Sequence, residues 1–273
     1  MIDVLILNRN LGEVCDSLVE SVRDNLDPDD TITVVDAGSA EGLQSSYTSV
    51  RADDSQAREH GLRFGRGMNL GLKHLAQNGG RNPWVLMLPV DSEILFWDVN
   101  GLIAQTRDIE HMVAVKPVDL ESPYSQMLQS ESLKLAWNFE EGPWLIRRSF
   151  IEEQQKMNLQ GDFFDHSNFR GYLTSLDLSF RAYSNGNCIG ITNSLVIHEN
   201  ESYLLERSDL IDTEPLDRHR QLLISEGLVW LQSRYAIDDP WSFAQVVRLL
   251  YEQFMQENPR YKTMGIEVTS DEN

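Results

Sequence analysis

The stretch running from Asp3-Val4-Leu5-Ile6-Leu7-Asn8-Arg9-Asn10 to Thr31-Ile32-Thr33-Val34-Val35-Asp36-Ala37-Gly38-Ser39 decides the fold. Val4 to Leu7 is an unbroken apolar run, which suits a strand covered on both faces. Between the two runs, Cys15 to Leu26 places Leu18, Val19, Val22 and Leu26 at helical spacing, and Asp27-Pro28-Asp29-Asp30 ends that helix. Thr31 to Val35 is a second, β-branched run. Strand, helix, strand in this order predicts a parallel crossover.

The pattern continues outward. Met68 to Leu75 reads as a helix, Asn78 to Pro83 as a turn and Trp84 to Leu88 as a buried strand. Further strands are expected at His111 to Val118, Gly142 to Arg148 and Cys188 to His198, with a helix at Leu176 to Tyr183 stopped by Asn185-Gly186. From about Thr213 the period is helical, through Leu222, Leu223, Leu228, Val229 and Leu231 and then Phe243, Val246, Val247, Leu249, Leu250 and Phe254. Thr269 to Asn273 reads as a frayed end. The expectation is a doubly wound, mostly parallel α/β sheet over residues 1–204 with a helical C-terminal extension over 205–273.

Composition narrows the partners. The 273 residues carry 43 acidic against 23 basic side chains, a net charge of −20, with 41% hydrophobic and 24% charged residues. These proportions are globular. The negative excess argues against nucleic acid or an anionic membrane as partner, because both would be repelled at long range. A site for a phosphorylated ligand must reverse the sign locally, with a metal ion, arginine or helix N-termini. Cys15 and Cys188 form no CxxC pair, and free buried thiols in a reducing cytoplasm are the simpler reading. Met1 to Leu7 lacks the basic start of a signal peptide, and no apolar run approaches the roughly 20 residues that cross a bilayer.

In open parallel sheets, ligands gather beyond the carboxyl ends of the strands. Three such ends carry small or polar residues here: Asn8-Arg9-Asn10, Asp36-Ala37-Gly38-Ser39 and Pro89-Val90-Asp91-Ser92-Glu93. Asp91 and Glu93 stand two apart, and in extended backbone residues i and i+2 point the same way. Both carboxylates could then face one cation, although a solvated acidic turn is the ordinary reading of such a pair taken alone. Magnesium binds oxygen ligands and commonly keeps places for water and phosphate. Gly65-Arg66-Gly67-Met68-Asn69-Leu70-Gly71 has the wrong spacing for a dinucleotide fingerprint. It offers either a flexible, cationic helix start that turns Arg66 and backbone N–H groups towards an anion, or simply permissive glycines. The chain contains neither GxxxxGK[ST] nor GxSxG, which removes a P-loop and a nucleophile elbow. His198 closes the run Leu195-Val196-Ile197; a lone histidine is more often structural, but with Asp91 and Glu93 it would complete a metal set.

Read in order, these strand ends resemble the nucleotide-diphospho-sugar glycosyltransferases of the A-type fold, specifically the large family 2, over roughly residues 2–200. Val4 to Asn10 is similar to that family's opening strand, and Thr33 to Gly42 to its second strand and turn, usually VVD-x-x-S-x-D-G. The segment 65–71 resembles its helix with Asn-x-Gly, and Trp84 to Glu93 its strand ending in a DxD-type motif. Gly142-Pro143-Trp144-Leu145-Ile146-Arg147-Arg148 resembles the acceptor-side segment, and Phe164-Asp165 with Leu176-Asp177-Leu178-Ser179-Phe180-Arg181 the FDE…EDVDLSLR stretch. His198 matches a closing histidine that ligates metal in some members.

The resemblance implies an inverting transferase that moves a sugar from a UDP- or GDP-linked donor to an acceptor hydroxyl on a glycan, a lipid-linked molecule or a small molecule. It implies that Asn8, Arg9, Asn10, Asp36, Gly38, Ser39, Arg66, Asn69 and Asp91 bind the nucleotide. It further implies that Asp91, Glu93 and His198 hold a divalent ion, Mn or Mg. The family's Glu-Asp pair, whose aspartate commonly acts as base, is replaced by Thr174-Ser175. Asp177, Asp165 or Asp162 must then serve, or transfer is lost and a nucleotide-binding protein remains. Losing a general base costs about 10²–10⁴-fold, against total accelerations of about 10⁶-fold or more, so the gap does not exclude activity. The helical tail has no matching motif; it could shape the acceptor site or mediate a homodimer, and its acidity disfavours membrane contact.

Overall fold

The structure, a computed structural model, describes residues 1–52, 57, 62–119, 122, 124, 132–200 and 215–266. The expected boundary at 204/205 and the expected frayed end at 269–273 lie outside these residues. The chain opens with β1 (Ile2–Asn8), α1 (Gly12–Arg23), β2 (Thr31–Asp36), β3 (Thr48–Arg51) and α2 (Phe64–Gln77). It continues through β4 (Trp84–Pro89), β5 (Ser92–Trp97), α3 (Val99–Arg107), β6 (Met112–Val118), β7 (Leu133–Ala136) and β8 (Trp144–Arg147). Then come α4 (Arg148–Met157), α5 (Thr174–Ser184), β9 (Cys188–Glu199), α6 (Leu216–Tyr235) and α7 (Pro240–Glu257).

One sheet runs β3-β2-β1-β4-β8-β6-β9-β5, with β7 added alongside β9. β1 pairs parallel with both β2 and β4, matching Asn8 to Asp36 and Leu7 to Pro89. β8 is antiparallel to β4 and β6, so β6 runs with β4, and β9 runs parallel to β6. The C-terminal ends of β1, β2, β4, β6 and β9 therefore share one edge of the sheet. That edge gathers Asn8, Asp36, Asp91, Asp119 and His198 from five separated stretches of sequence. Burial supplies the driving force: Val85, Leu86, Met87 and Leu88 of β4 are fully buried, each worth about 1.5–3 kcal/mol.

Every strand expected from the sequence is present, as are the expected helices. β3, β5, β7, α3 and α4 were not foreseen. Their apolar residues alternate irregularly or run for only a few positions, so periodicity carries no signal there. β5 is the clearest instance: an edge strand that leaves Leu95 and Phe96 exposed. The tail is continuous with the core rather than separate. Tyr235 stacks on Phe243 at 4.6 Å between ring centroids and meets Phe180 of α5 at 4.9 Å. Among the described residues no helix is long and apolar enough to cross a membrane, and Cys15 and Cys188 are both buried as thiols.

Gly12, the first residue of α1, is an expected point of fragility. A Cβ there would overlap the carbonyl of Gln44, a backbone group that cannot rotate away. Gly12→Ala is expected to lower stability by about 1–3 kcal/mol, measured by urea unfolding.

Candidate active site

Asn8 and Asp36 sit side by side at the ends of β1 and β2, and both are fully buried. Asp36 Oδ1 accepts the N–H groups of Gly38 at 2.9 Å and Ser39 at 2.8 Å, folding its own loop back on itself. The other oxygen, Oδ2, is buried with no hydrogen-bond partner, as is Nδ2 of Asn8. A buried polar atom left unsatisfied is costly. The two lie side by side at the end of the sheet, with Arg51 Nε 3.8 Å from Asp36 Oδ1. Asn10 takes a left-handed conformation (φ 58°), donates its N–H to Ser39 Oγ and accepts from Ala40 N–H, locking the two loops together. Arg9 bridges the same loops, its Nη1 donating to the carbonyls of Ala37, Gly38 and Ala57.

The glycine-rich segment has a different logic from either expectation. Gly67 and Gly71 face the sheet, where a Cβ on Gly67 would overlap Leu7 and one on Gly71 would approach Val35 Cγ2 to 2.8 Å. They allow close helix–sheet packing. Asn69 is buried and clamps the next segment, accepting from Phe163 and Phe164 N–H and donating to the Phe164 carbonyl. Arg66 donates to the His166 carbonyl and stands 4.5 Å from the centre of the Phe169 ring.

At the end of β4 the chain turns at Val90-Asp91 before β5 begins at Ser92. The expectation that Asp91 and Glu93 share one direction assumed extended backbone and is corrected by that turn. Asp91 is buried, and its carbonyl accepts from Asn200 N–H at 2.9 Å. Glu93 is exposed and lines a cleft against α1 with Glu13 and Ser17. His198, its register partner on β9, lines another cleft, of about 620 Å³, with Asp119, Glu141, Gly142 and Glu199.

This larger cleft is strongly acidic. His198 Nδ1 lies 3.4 Å from Asp119 Oδ1, and Asp119 Oδ2 accepts the Glu199 N–H at 2.9 Å. The buried Lys116 of β6 reaches to 3.6 Å from Glu199 Oε2. Burial pushes the Glu199 carboxyl up to about 7; Lys116 pulls against this, and Asp91 and Asp119 add to it. Among the described residues no three His, Cys, Asp or Glu side chains converge into a ready metal cage. The wall still offers carboxylate and imidazole donors, and one or two carboxylates are what a magnesium-like ion takes when a diphosphate supplies further oxygens.

The three aspartates named as possible bases are all engaged. Asp162 meets Lys73 Nζ at 2.6 Å. Asp165 accepts from Ser167, from Trp230 Nε1 at 3.2 Å and from Arg234 Nη1 at 3.0 Å. Burial raises the Asp165 carboxyl, but these donors outweigh it and hold the group below its usual range. Asp177 pairs with Arg181 Nε at 2.8 Å, lies 3.6 Å from Arg234 Nε and accepts from the Tyr235 hydroxyl. Together Asp165 and Asp177 anchor α6 to the body of the chain.

Sequence reading missed Glu141, Glu199, Lys116 and Asp119. A lysine inside the apolar run 112–118 was the available signal, since a charge in a buried strand requires a partner. Glu199, directly after His198, was equally visible. Which carboxylates face one another was not.

A scan of family models finds no match, and neither does a search of curated proteins. Solved structures do match. GalNAc-T7 with UDP, GalNAc and Mn2+ shares 12% identity, with 96% of this chain and 58% of that chain covered and a TM-score of 0.57. S. aureus TarS 1-349 in complex with UDP shares 12% identity, covering 97% and 83%, with a TM-score of 0.51. This chain thus spans little more than half of the GalNAc-T7 chain. At such identity the likeness is one of architecture, and by that measure the chain has the A-type glycosyltransferase fold.

Proposed function

We propose that this protein is a glycosyltransferase that moves a sugar from a UDP- or GDP-linked donor to an acceptor hydroxyl. The observation that carries the reading is the shared sheet edge: the unsatisfied buried atoms of Asn8 and Asp36 lie at one part of it, and the acidic cleft with Asp119 and His198, beside the buried Asp91, at another. The fold likeness to GalNAc-T7 and TarS, both solved with UDP, supports a nucleotide in that place. The base and ribose would lie against Asn8, Asp36, Gly38 and Ser39, with Arg9 and Asn10 holding the loops and Arg66 and Asn69 shaping the α2 side. A divalent ion of the Mn or Mg kind, when bound, would neutralise charge on the leaving diphosphate. Asp91 and His198 would hold it, with Glu199 beside them, whereas Glu93 faces α1. Inversion by direct displacement fits a single base opposite the leaving group. A sugar-bearing, lipid-linked or small acceptor, a cytoplasmic setting and a homodimer remain part of the same proposal.

The test is a panel of UDP- and GDP-sugars with Mn2+. UDP or GDP should raise the melting temperature; at a ligand concentration 100 times Kd the gain is about 2.7 kcal/mol. Donor turnover, read as released nucleotide, should fall at least about 10²-fold in Asp91→Ala, and the thermal shift should shrink in Asp36→Ala. A wild type that neither binds nucleotide nor cleaves any donor sinks the reading. Binding without turnover would favour a nucleotide-binding protein, the outcome raised by Thr174-Ser175.

A further inference from the structure

We infer that Glu141, on the loop leading into β8, is the base that takes the proton from the acceptor hydroxyl. The inference rests on the transferase reading above and names a residue for it. Glu141 lines the 620 Å³ cleft together with Gly142, His198 and Glu199, so it faces the same space as the acidic edge of the sheet. Its position is fixed from α5: Glu141 Oε1 accepts the backbone N–H of Ser175 at 2.9 Å, in the first turn of that helix. The turn that presents this N–H is strained, because Leu173 adopts a left-handed conformation (φ 52°). Such backbone costs on the order of 1–3 kcal/mol in a non-glycine residue and is concentrated at functional sites. The other nominated carboxylates, Asp162, Asp165 and Asp177, are already bound to lysine or arginine.

The setting suits proton transfer. Glu141 is exposed to water at the mouth of the cleft. The cleft wall raises its carboxyl by desolvation; the Ser175 N–H and Lys116 pull down and Asp177 pushes further up. The titratable groups around it are Lys116 from β6, Asp119 just beyond that strand, Asp177 from α5, His198 and Glu199 from β9, and its neighbour Glu140. In the step, the Glu141 carboxylate accepts the hydroxyl proton. The oxygen's electron pair forms the new bond to the anomeric carbon, and the bond from that carbon to the diphosphate oxygen breaks. The pair departs on the nucleoside diphosphate, and Glu141 later returns the proton to water. A base works deprotonated, so the rate should rise with pH as the Glu141 carboxyl loses its proton.

The rival role is a plain helix cap, and the experiment separates the two. Glu141→Gln keeps an oxygen for the Ser175 N–H, so the fold and the UDP-induced thermal shift should match wild type. Nucleotide release from the UDP- and GDP-sugar panel with Mn2+, water serving as acceptor, should fall about 10²–10⁴-fold and lose its rising limb with pH. Glu141→Asp should recover part of the rate with a displaced pH profile. A Glu141→Gln protein with wild-type rate and pH profile overturns the assignment and leaves the transferase reading intact. A wild type that binds UDP yet releases nucleotide from no donor overturns the transferase reading, and the base falls with it.

Discussion

Asp177→Ala is expected to destabilise the protein by about 3–5 kcal/mol, the usual loss when one partner of a buried ion pair is removed. The Arg181 side chain is only 8% exposed, and its Nε has Asp177 as partner at 2.8 Å. Without the carboxylate a buried guanidinium charge loses its partner, although Nη1 still donates to the Phe163 carbonyl. The Tyr235 hydroxyl loses its acceptor as well, and Arg234 loses one of its two carboxylate partners, keeping Asp165 and the Tyr235 hydroxyl. Because those two residues belong to α6, the tail should loosen along with α5. Asp177→Asn retains an acceptor and should cost distinctly less. Urea unfolding followed by circular dichroism measures both. An Asp177→Ala protein within about 1 kcal/mol of wild type, yet devoid of donor turnover, would return this aspartate to the chemistry.

Glu199→Gln should make the protein more stable at pH 8 and leave it unchanged near pH 4.5. The fold holds the Glu199 carboxyl protonated up to about 7, against 4.5 for the free side chain. Between those values the folded chain binds more protons than the unfolded one, so stability is complete below about 4.5 and declines as pH rises to about 7. At about 1.4 kcal/mol per pH unit, reduced by residual contact with water, the deficit is on the order of 1–3 kcal/mol. Glutamine imitates the protonated acid and avoids it. Urea midpoints of both proteins at pH 4.5 and pH 8 decide the matter: a difference that does not grow with pH removes the claim that burial strains this carboxylate.

Both predictions concern residues whose roles follow from juxtaposition. Asp177 was recognisable in the sequence as part of a helix near the site, but its partners Arg234 and Tyr235 lie 57 and 58 positions further on. Nothing in local pattern reports such distant pairings. The same holds for Asp91 and Glu93, where spacing suggested one direction and a turn at Val90-Asp91 gave two. The glycines at 67 and 71 looked like loop flexibility, whereas their requirement is contact with Leu7 and Val35.

What the sequence determined by itself was the layered architecture, the edge of the sheet that carries polar residues, and Asn8, Asp36, Asp91 and His198 at strand ends. These follow from apolar periodicity and from where each buried run stops, both local properties of the chain. Only the tertiary structure decided which carboxylates share a cleft, that Lys116 and Glu199 meet there, and that Glu141 rests on the N-terminus of α5. Those facts depend on strand order and on the direction of individual side chains, which arise when separated segments pack against one another.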